Sequence, residues 1–289
     1  MKNCFEYFLF TVLALIVRIL GLSLSRRFSI IVAVILFYII PIRKNVTLKN
    51  LRRAFPEYTD QKIYKIAFEN YKSFAITFVE ILYIPFMTRK QIEKAVHCEN
   101  VELVKKFYER GNGLIVLSGH FGNWEYIALS ISAQINVPFH VVVKSQRNPF
   151  VDSYLNRART KWINEIVPLG ASIRKIYAEL KAKKIVAMVA DQRGPSDGMR
   201  VNFFGQSTAI YPGPAQLAVK TKTPILYGLA VRQPDYSYKA LISEISLEDL
   251  PDDEEKQVHE VSQKHMAFLE SIIKKHPEQW FWMHNIWKY

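Results

Sequence analysis

Apolar positions along the chain fall into three regimes. From Tyr7 to Ser25 the sequence is mostly apolar and broken only by Arg18, and from Phe28 to Ile42 it carries no charge. As a helix the second run is about 22 Å long, short of the roughly 30 Å hydrocarbon core of a bilayer. The first run is long enough if Arg18 snorkels or faces protein. After Thr59-Asp60, a helix start by residue type, apolar side chains recur at Ile63, Ala67, Tyr71, Phe74, Phe78 and Ile81. Those steps of three and four predict an amphipathic helix whose stripe faces a core. Beyond about residue 100, short apolar runs alternate with helical stretches. The predicted strands are Leu114–Ser118, Phe139–Val143, Ile185–Ala190, Ile225–Val231 and Tyr238–Ile245, with helices over 101–110, 124–135, 150–163, 172–183, 213–221 and 253–275. This alternation predicts an α/β fold: a mixed or largely parallel sheet flanked by helices, preceded by N-terminal apolar membrane-anchoring helices. Residues 1–45 form the expected anchor and 46–289 the main domain, with 46–100 its helical, membrane-proximal part.

Charge sharpens the membrane expectation. The net charge is +13, and residues 1–90 hold 14 Lys/Arg against 5 Asp/Glu. Basic residues beside apolar helices suit an anionic membrane surface, and no nucleic-acid module is present, so no nucleic-acid partner is expected. No Ala-x-Ala-type cleavage site follows the first run, which argues against a removed signal peptide. Arg26, Arg27, Arg43 and Lys44 follow the apolar runs while only Lys2 precedes them. Whatever follows a single span is then cytoplasmic. The anchor is one spanning helix or a helical hairpin lying partly in the interface; two helices inside a soluble domain is the alternative. Cys4 and Cys98, far apart and unlike in context, make neither a disulfide framework nor a metal site.

The candidate chemistry sits where Leu114-Ile115-Val116-Leu117 runs into Ser118-Gly119-His120-Phe121-Gly122-Asn123-Trp124-Glu125. Asn123 is a good N-cap, which puts Trp124 and Glu125 in a first helical turn and His120 just ahead of it. A carboxylate on one imidazole nitrogen fixes the tautomer, and the other nitrogen is free to take a proton from a hydroxyl. With no G-x-S-x-G nucleophile elbow, direct transfer is favoured over a covalent intermediate. The competing interpretation is structural: a turn at Gly119-His120 and a helix-dipole carboxylate at Glu125. A metal site on the same pair lacks a third ligand. Asp191-Gln192-Arg193 follows a second predicted strand end, so the two clusters can share one crevice.

The octapeptide, with its His-x4-Glu, resembles the late acyltransferases of lipid A biosynthesis, the lauroyl and myristoyl transferases within the lysophospholipid acyltransferase group. Further blocks resemble the family in order: Asn50-Leu51-Arg52-Arg53-Ala54-Phe55-Pro56, then Lys144 with Asn148-Pro149, then Asp191-Gln192. Next come Phe203-Phe204-Gly205 with Thr208 and Gly213-Pro214-Ala215, and finally Pro277-Glu278-Gln279-Trp280-Phe281-Trp282-Met283-His284. The resemblance implies a membrane-bound acyltransferase at the cytoplasmic face of a bacterial inner membrane. Its co-substrate would be an acyl carrier protein or coenzyme A thioester, with no further cofactor and no metal; its partners would be membrane lipids and a glycolipid acceptor. His120 is then the general base and Glu125 its orienting partner. Lys144, Arg147 or Arg193 would supply a cation to the oxyanion, and Asp191 and Gln192 would arrange the acceptor, unless Asp191 merely caps its turn. Asn123, Phe204, Gly205 and Thr208 complete the expected substrate-binding set, with Phe203-Phe204-Gly205 shaping an acyl channel or a plain core. Lys144 and Asn285 stand where the family often has arginine, and Ile163 and Lys183 where many relatives have glycine. The acceptor therefore stays open between a lipid A precursor and another lysolipid, aminolipid or glycolipid, and a non-catalytic membrane scaffold is the reading from another class.

Overall fold

The computed structural model describes residues 2–169 and 173–289. A seven-stranded sheet has the order β1 (Val96–His97), β9 (Tyr238–Ile245), β8 (Ile225–Arg232), β2 (Leu114–Ser118), β5 (Ile185–Val189), β3 (Phe139–Val143) and β4 (Glu165–Pro168). All neighbours run parallel except β8 and β9. Parallel pairing needs crossovers that cover both faces, which is why the central strands are continuous apolar runs and not alternating ones. Val116, Phe139, Val141 and Ala187 point into a core shared with α5 (Val101–Glu109) and α6 (Trp124–Ile135). Their strand neighbours Ile115, Leu117, Val186 and Met188 join the opposite core. That second face is covered by α8 (Ile173–Lys181), α9 (Gly213–Thr221) and α10 (Glu254–Lys275).

Each predicted strand is present within a residue or two, and the architecture is the expected mixed, mostly parallel sheet. The start of the helix predicted from 172 lies outside the described residues. Three features had no periodic signal. β1 has two residues, β4 is a short edge strand, and β6 (Arg200–Phe203) pairs with β7 (Gln206–Ala209) as a separate polar hairpin. Its turn, Phe204-Gly205, has φ of 54° and 69°. Lys183, at a position where glycine was noted for relatives, also takes a positive φ of 61°.

The N-terminal region is a bent pair of helices. α1 (Lys2–Val34) is broken at Gly21, where φ is 68° and ψ 170°. Residues eight apart in a straight helix are separated by roughly 12 Å along the axis. Here the Ser25 hydroxyl donates to Val17 O at 3.2 Å, so the chain turns back on itself. The first arm crosses the main domain. Asn148 donates to Asn3 O, Arg147 pairs with Glu6, and Ala14 and Val17 pack with Val79 and Leu82 of α3 (Asp60–Tyr83). The second arm returns along α3, from an Arg26–Glu80 pair to Phe37 packed on Tyr64, Phe68 and Tyr71. Phe5, Phe8, Leu9, Leu15, Ile19 and Ile31 remain exposed on the outer face.

Gly21 adopts a region open essentially to glycine alone, so Gly21→Ala is expected to destabilise by about 1–3 kcal/mol. Gly213→Ala, in open space without a positive φ, is the control. Thermal unfolding in detergent measures both, and equal melting temperatures would show that the bend carries no strain.

Candidate active site

Ser118 of β2 lies opposite Val189 of β5 in parallel register. Residues two past each strand end therefore meet at the carboxyl edge of the sheet, and these are His120 and Asp191. His120 Nδ1 is 2.6 Å from Asp191 Oδ1, while Asp191 Oδ2 accepts from His120 N at 2.6 Å and from Trp280 Nε1 at 2.8 Å. A carboxylate only accepts, so Nδ1 carries the proton and Nε2 is the free, basic nitrogen. Asp191 is 3% exposed, whereas the His120 side chain keeps 22% of its surface open. Burial works against charge on the imidazole, but the charge and hydrogen bond of Asp191, helped by the Glu125 charge, raise its pKa above the ordinary value. Burial likewise opposes charge on Asp191, yet His120 and the Trp280 indole together hold its pKa below the usual carboxylate range.

Glu125 is not the partner of that imidazole, which corrects the expectation from spacing. It lies in the first turn of α6 and faces α7 (Pro149–Arg159), whose Arg159 grips it: Nε lies 3.0 Å from both carboxylate oxygens and Nη2 2.6 Å from Oε1. A nearly buried carboxylate needs such a fork, and a guanidinium supplies two parallel bonds that an imidazole does not.

The turn itself is held from behind. Gly122 N donates to Gln279 O at 2.9 Å, Phe281 N donates to His120 O at 3.0 Å, and the Thr77 hydroxyl donates to Gly122 O at 2.7 Å. At Gly122 a Cβ would collide with the Ala230 carbonyl, and φ is 53°, so only glycine fits there. The aromatic rings of Trp124 and Phe281 flank the imidazole.

A cavity of about 930 Å³ opens onto His120. One lobe runs beneath α6, walled by Val116, Ile127, Ile131, Phe139, Gly228 and Ile242. The other lies across the sheet edge, among Leu169, Ile173, Ile176, Met188, Tyr211 and Leu217. Of the expected residues, Glu125, Lys144 and Gln192 line this cavity with His120. The remaining expected substrate contacts are placed elsewhere. Asn123 is fully buried; its Oδ1 caps α6 by accepting from Tyr126 N at 3.0 Å. Arg147 is spent on Glu6. The Arg193 guanidinium donates to Asn285 O and lies over the Tyr289 ring, while its backbone N–H donates to His284 Nε2. Phe204, Gly205 and Thr208 belong to the β6–β7 hairpin; Phe204 packs on Phe55 and Trp282, and the Thr208 hydroxyl accepts from Trp287 Nε1. Phe204 and Thr208 brace the C-terminal segment, and none of the three lines the cavity. Among the described residues no three His, Cys, Asp or Glu side chains converge as metal ligands would.

The model of the bacterial lipid A biosynthesis acyltransferase family matches residues 2–289. The chain belongs to that family. It is thus an acyltransferase, and the scaffold reading falls away. The chain is 24% identical to the lipid A biosynthesis palmitoleoyltransferase of Escherichia coli K12 over 255 residues, 85% of this chain and 79% of the relative. It is 21% identical to the lipid A biosynthesis acyltransferase of Haemophilus influenzae over 239 residues, 81% and 72% of the two chains. It is also 24% identical to a phosphatidylinositol mannoside acyltransferase of Mycolicibacterium smegmatis over 153 residues, 52% and 50% of the two chains.

Sequence reasoning assigned no role to Arg159, Trp280 or Glu80. Arg159 sits in no motif, and nothing in its spacing links it to Glu125. Trp280 lay within a recognised block, but a block does not say which donor faces which acceptor. The Asp191 contact did have a signal, since two adjacent parallel strands bring their following residues together. For this acyltransferase, Glu125→Gln and Arg159→Met are expected each to slow transfer at least about tenfold, and the double variant to be no slower than the worse single one, as for residues acting as a unit. Initial rates on the four proteins measure this, and additive losses would show that the pair does not work together.

Proposed function

We propose that the protein transfers a fatty acyl chain from an acyl carrier protein or coenzyme A thioester to a hydroxyl of a lipid A precursor, with His120 as general base and Asp191 as its orienting carboxylate. The observation that carries this is a histidine, oriented by a buried carboxylate, opening onto an apolar cavity of about 930 Å³. The acyl chain lies in the lobe beneath α6, and the thioester carbonyl lies at His120. Nε2 takes the acceptor hydroxyl proton as the oxygen attacks the carbonyl carbon. The imidazolium is stabilised by Asp191 and returns the proton to the departing thiolate as the carbon–sulfur bond breaks, leaving an ester. Glu125 does not touch the ring, and its charge is partly offset by Arg159. Lys144, the one of the three expected cations that lines the cavity, faces the developing oxyanion. The lipid A acceptor is favoured by the names of the Escherichia and Haemophilus relatives. Similarity to the mannoside acyltransferase supports a second possibility, another glycolipid hydroxyl.

The membrane attachment we infer is a hairpin lying in one leaflet at the cytoplasmic face, not a span. The apolar stretch Asn3–Ile39 is long enough to cross. Both its arms, however, keep one face on the main domain, and crossing would strip Arg147, Asn148 and Glu80 of these partners. The arms expose apolar side chains such as Phe5, Phe8, Leu15, Ile19 and Ile31 together with Arg18 and Arg27, as an interfacial helix does.

With purified enzyme in detergent, a labelled acyl thioester and a panel of lipid acceptors, His120→Ala is expected to lose transfer about 10³-fold or more and Asp191→Asn about 10²–10⁴-fold. The rate rises with pH as His120 loses its proton, so in wild type the rise is centred above the ordinary histidine value of 6.5. Without the Asp191 charge the midpoint moves down. Undiminished transfer by folded His120→Ala would sink the base assignment, and an unmoved midpoint in Asp191→Asn would sink the orienting role. Gly228, whose Cβ would just touch Ile127, gives the test of the lobe. Gly228→Leu is expected to shift preference to shorter acyl thioesters, and an unchanged chain-length profile would place the acyl chain elsewhere.

A further inference from the structure

Glu80 is a carboxylate with no solvent exposure, set in the last turn of α3 among buried apolar neighbours Val79, Ile81 and Leu82. An ion so buried is expensive to desolvate and persists only with a full set of partners. Its partners come from four separate parts of the chain. Oε1 accepts from Arg26 Nε at 2.8 Å and lies 2.7 Å from Arg26 Nη2, both on the second arm of the N-terminal hairpin. Oε2 accepts from Asn123 Nδ2 at 3.0 Å and from the Tyr238 hydroxyl at the start of β9. Arg232, ending β8, stands 3.8 Å from Oε2 and donates to Ser73 and Thr77 of α3. Thr77 in turn donates to Gly122 O.

Asn123 is the joint that matters. Its Oδ1 caps the helix that follows the His120 turn, and its Nδ2 is bound, among the described residues, only to Glu80. An amide so pinned at both ends fixes the direction in which the chain leaves His120-Phe121-Gly122. Displacing a reacting group by about 1 Å is enough to lose about 100-fold in rate. We propose that Glu80 is a positioning residue for acyl transfer, setting the His120 turn through Asn123 while bound to Arg26, so that the seating of the membrane hairpin helps set the geometry of the reacting imidazole. The proposal rests on His120 being the base, as above, but its structural half stands apart from that.

The test reads two quantities on full-length enzyme in detergent or nanodiscs: steady-state transfer, and hydrogen–deuterium exchange of the 119–126 amides. Glu80→Gln is expected to lower kcat about 10–100-fold, the scale of a displaced reacting group. KM for the thioester should change by less than about threefold, and exchange at 119–126 should speed up while that of β2 and β5 does not. Arg26→Met, a gentler change at the rim of the network, should move both readouts in the same direction. Glu80→Gln with Asn123→Asp reverses the bond, since the glutamine amide donates to the new carboxylate and Asp still caps the helix. It should restore much of kcat and the slow exchange. Folded Glu80→Gln with wild-type kcat and exchange would overturn the proposal; should that variant not fold, wild-type values in Arg26→Met overturn it instead. Faster exchange throughout the protein, unrescued by Asn123→Asp, also overturns it, since it marks a merely structural role. If wild type itself transfers no acyl chain, the functional reading fails, while local exchange still reports whether Glu80 holds the turn.

Discussion

The Asp191 carboxylate is the interaction on which the site depends. Taken out of water it is tolerable only because three donors converge on it: two from His120 and one from Trp280. That need accounts for much of the surrounding architecture. β5 must lie beside β2 so that Asp191 and His120 meet, and the C-terminal segment must be carried back to the sheet edge so that the Trp280 indole can reach inward. The segment is held there by an aromatic cluster of Trp280, Trp282 and Trp287 with Phe203, Phe204 and Phe55. Asn50 donates to the carbonyls of Trp282 and His284, and Asn70 to those of Glu278 and Trp280. Several blocks that resemble the family are thus the clamp on one carboxylate and do not contact the cavity.

Three buried carboxylates, Asp191, Glu125 and Glu80, surround the same turn, and each takes its donor from a different direction. His120 meets Asp191 from the sheet, Glu125 meets Arg159 from α7, and Glu80 meets Arg26 from the hairpin. Helix α3 links them, because it touches the hairpin with Val79 and Leu82, the turn with Thr77, and the C-terminal segment with Asn70. In a low-dielectric setting such pairs are rigid, since opening any one leaves an uncompensated ion. Rigidity of this sort suits the proposed role of His120 as a base that meets a hydroxyl and a thioester in one geometry.

How much of this was legible along the chain depended on whether the signal was local. The central strands showed because burial on both faces demands apolar runs such as Leu114–Leu117, whereas β9 mixes apolar residues with Lys239, Ser243 and Glu244. The α3 stripe from Ile63 to Ile81 showed because helical period is a local property. β1, β4 and the β6–β7 hairpin did not, being short or polar and defined by their partners. The His120 turn was readable as a site, but its carboxylate was not: five-residue spacing favoured Glu125, while the bond goes to Asp191, 71 residues away. Similarly Arg26 reads in sequence as a basic flank of a membrane segment, and in the fold it pairs with Glu80 and donates to Tyr236 O.

What the sequence determined by itself was the alternating α/β pattern, an apolar N-terminus and a histidine at a strand end, because each follows from local periodicity and turn chemistry. Only the tertiary structure decided which carboxylate orients that histidine, which of the expected cations lines the cavity, and how the N-terminal helices lie. Those outcomes depend on which strands are neighbours and where side chains meet across the fold, and a buried ion takes whichever partner arrives in reach with the right geometry.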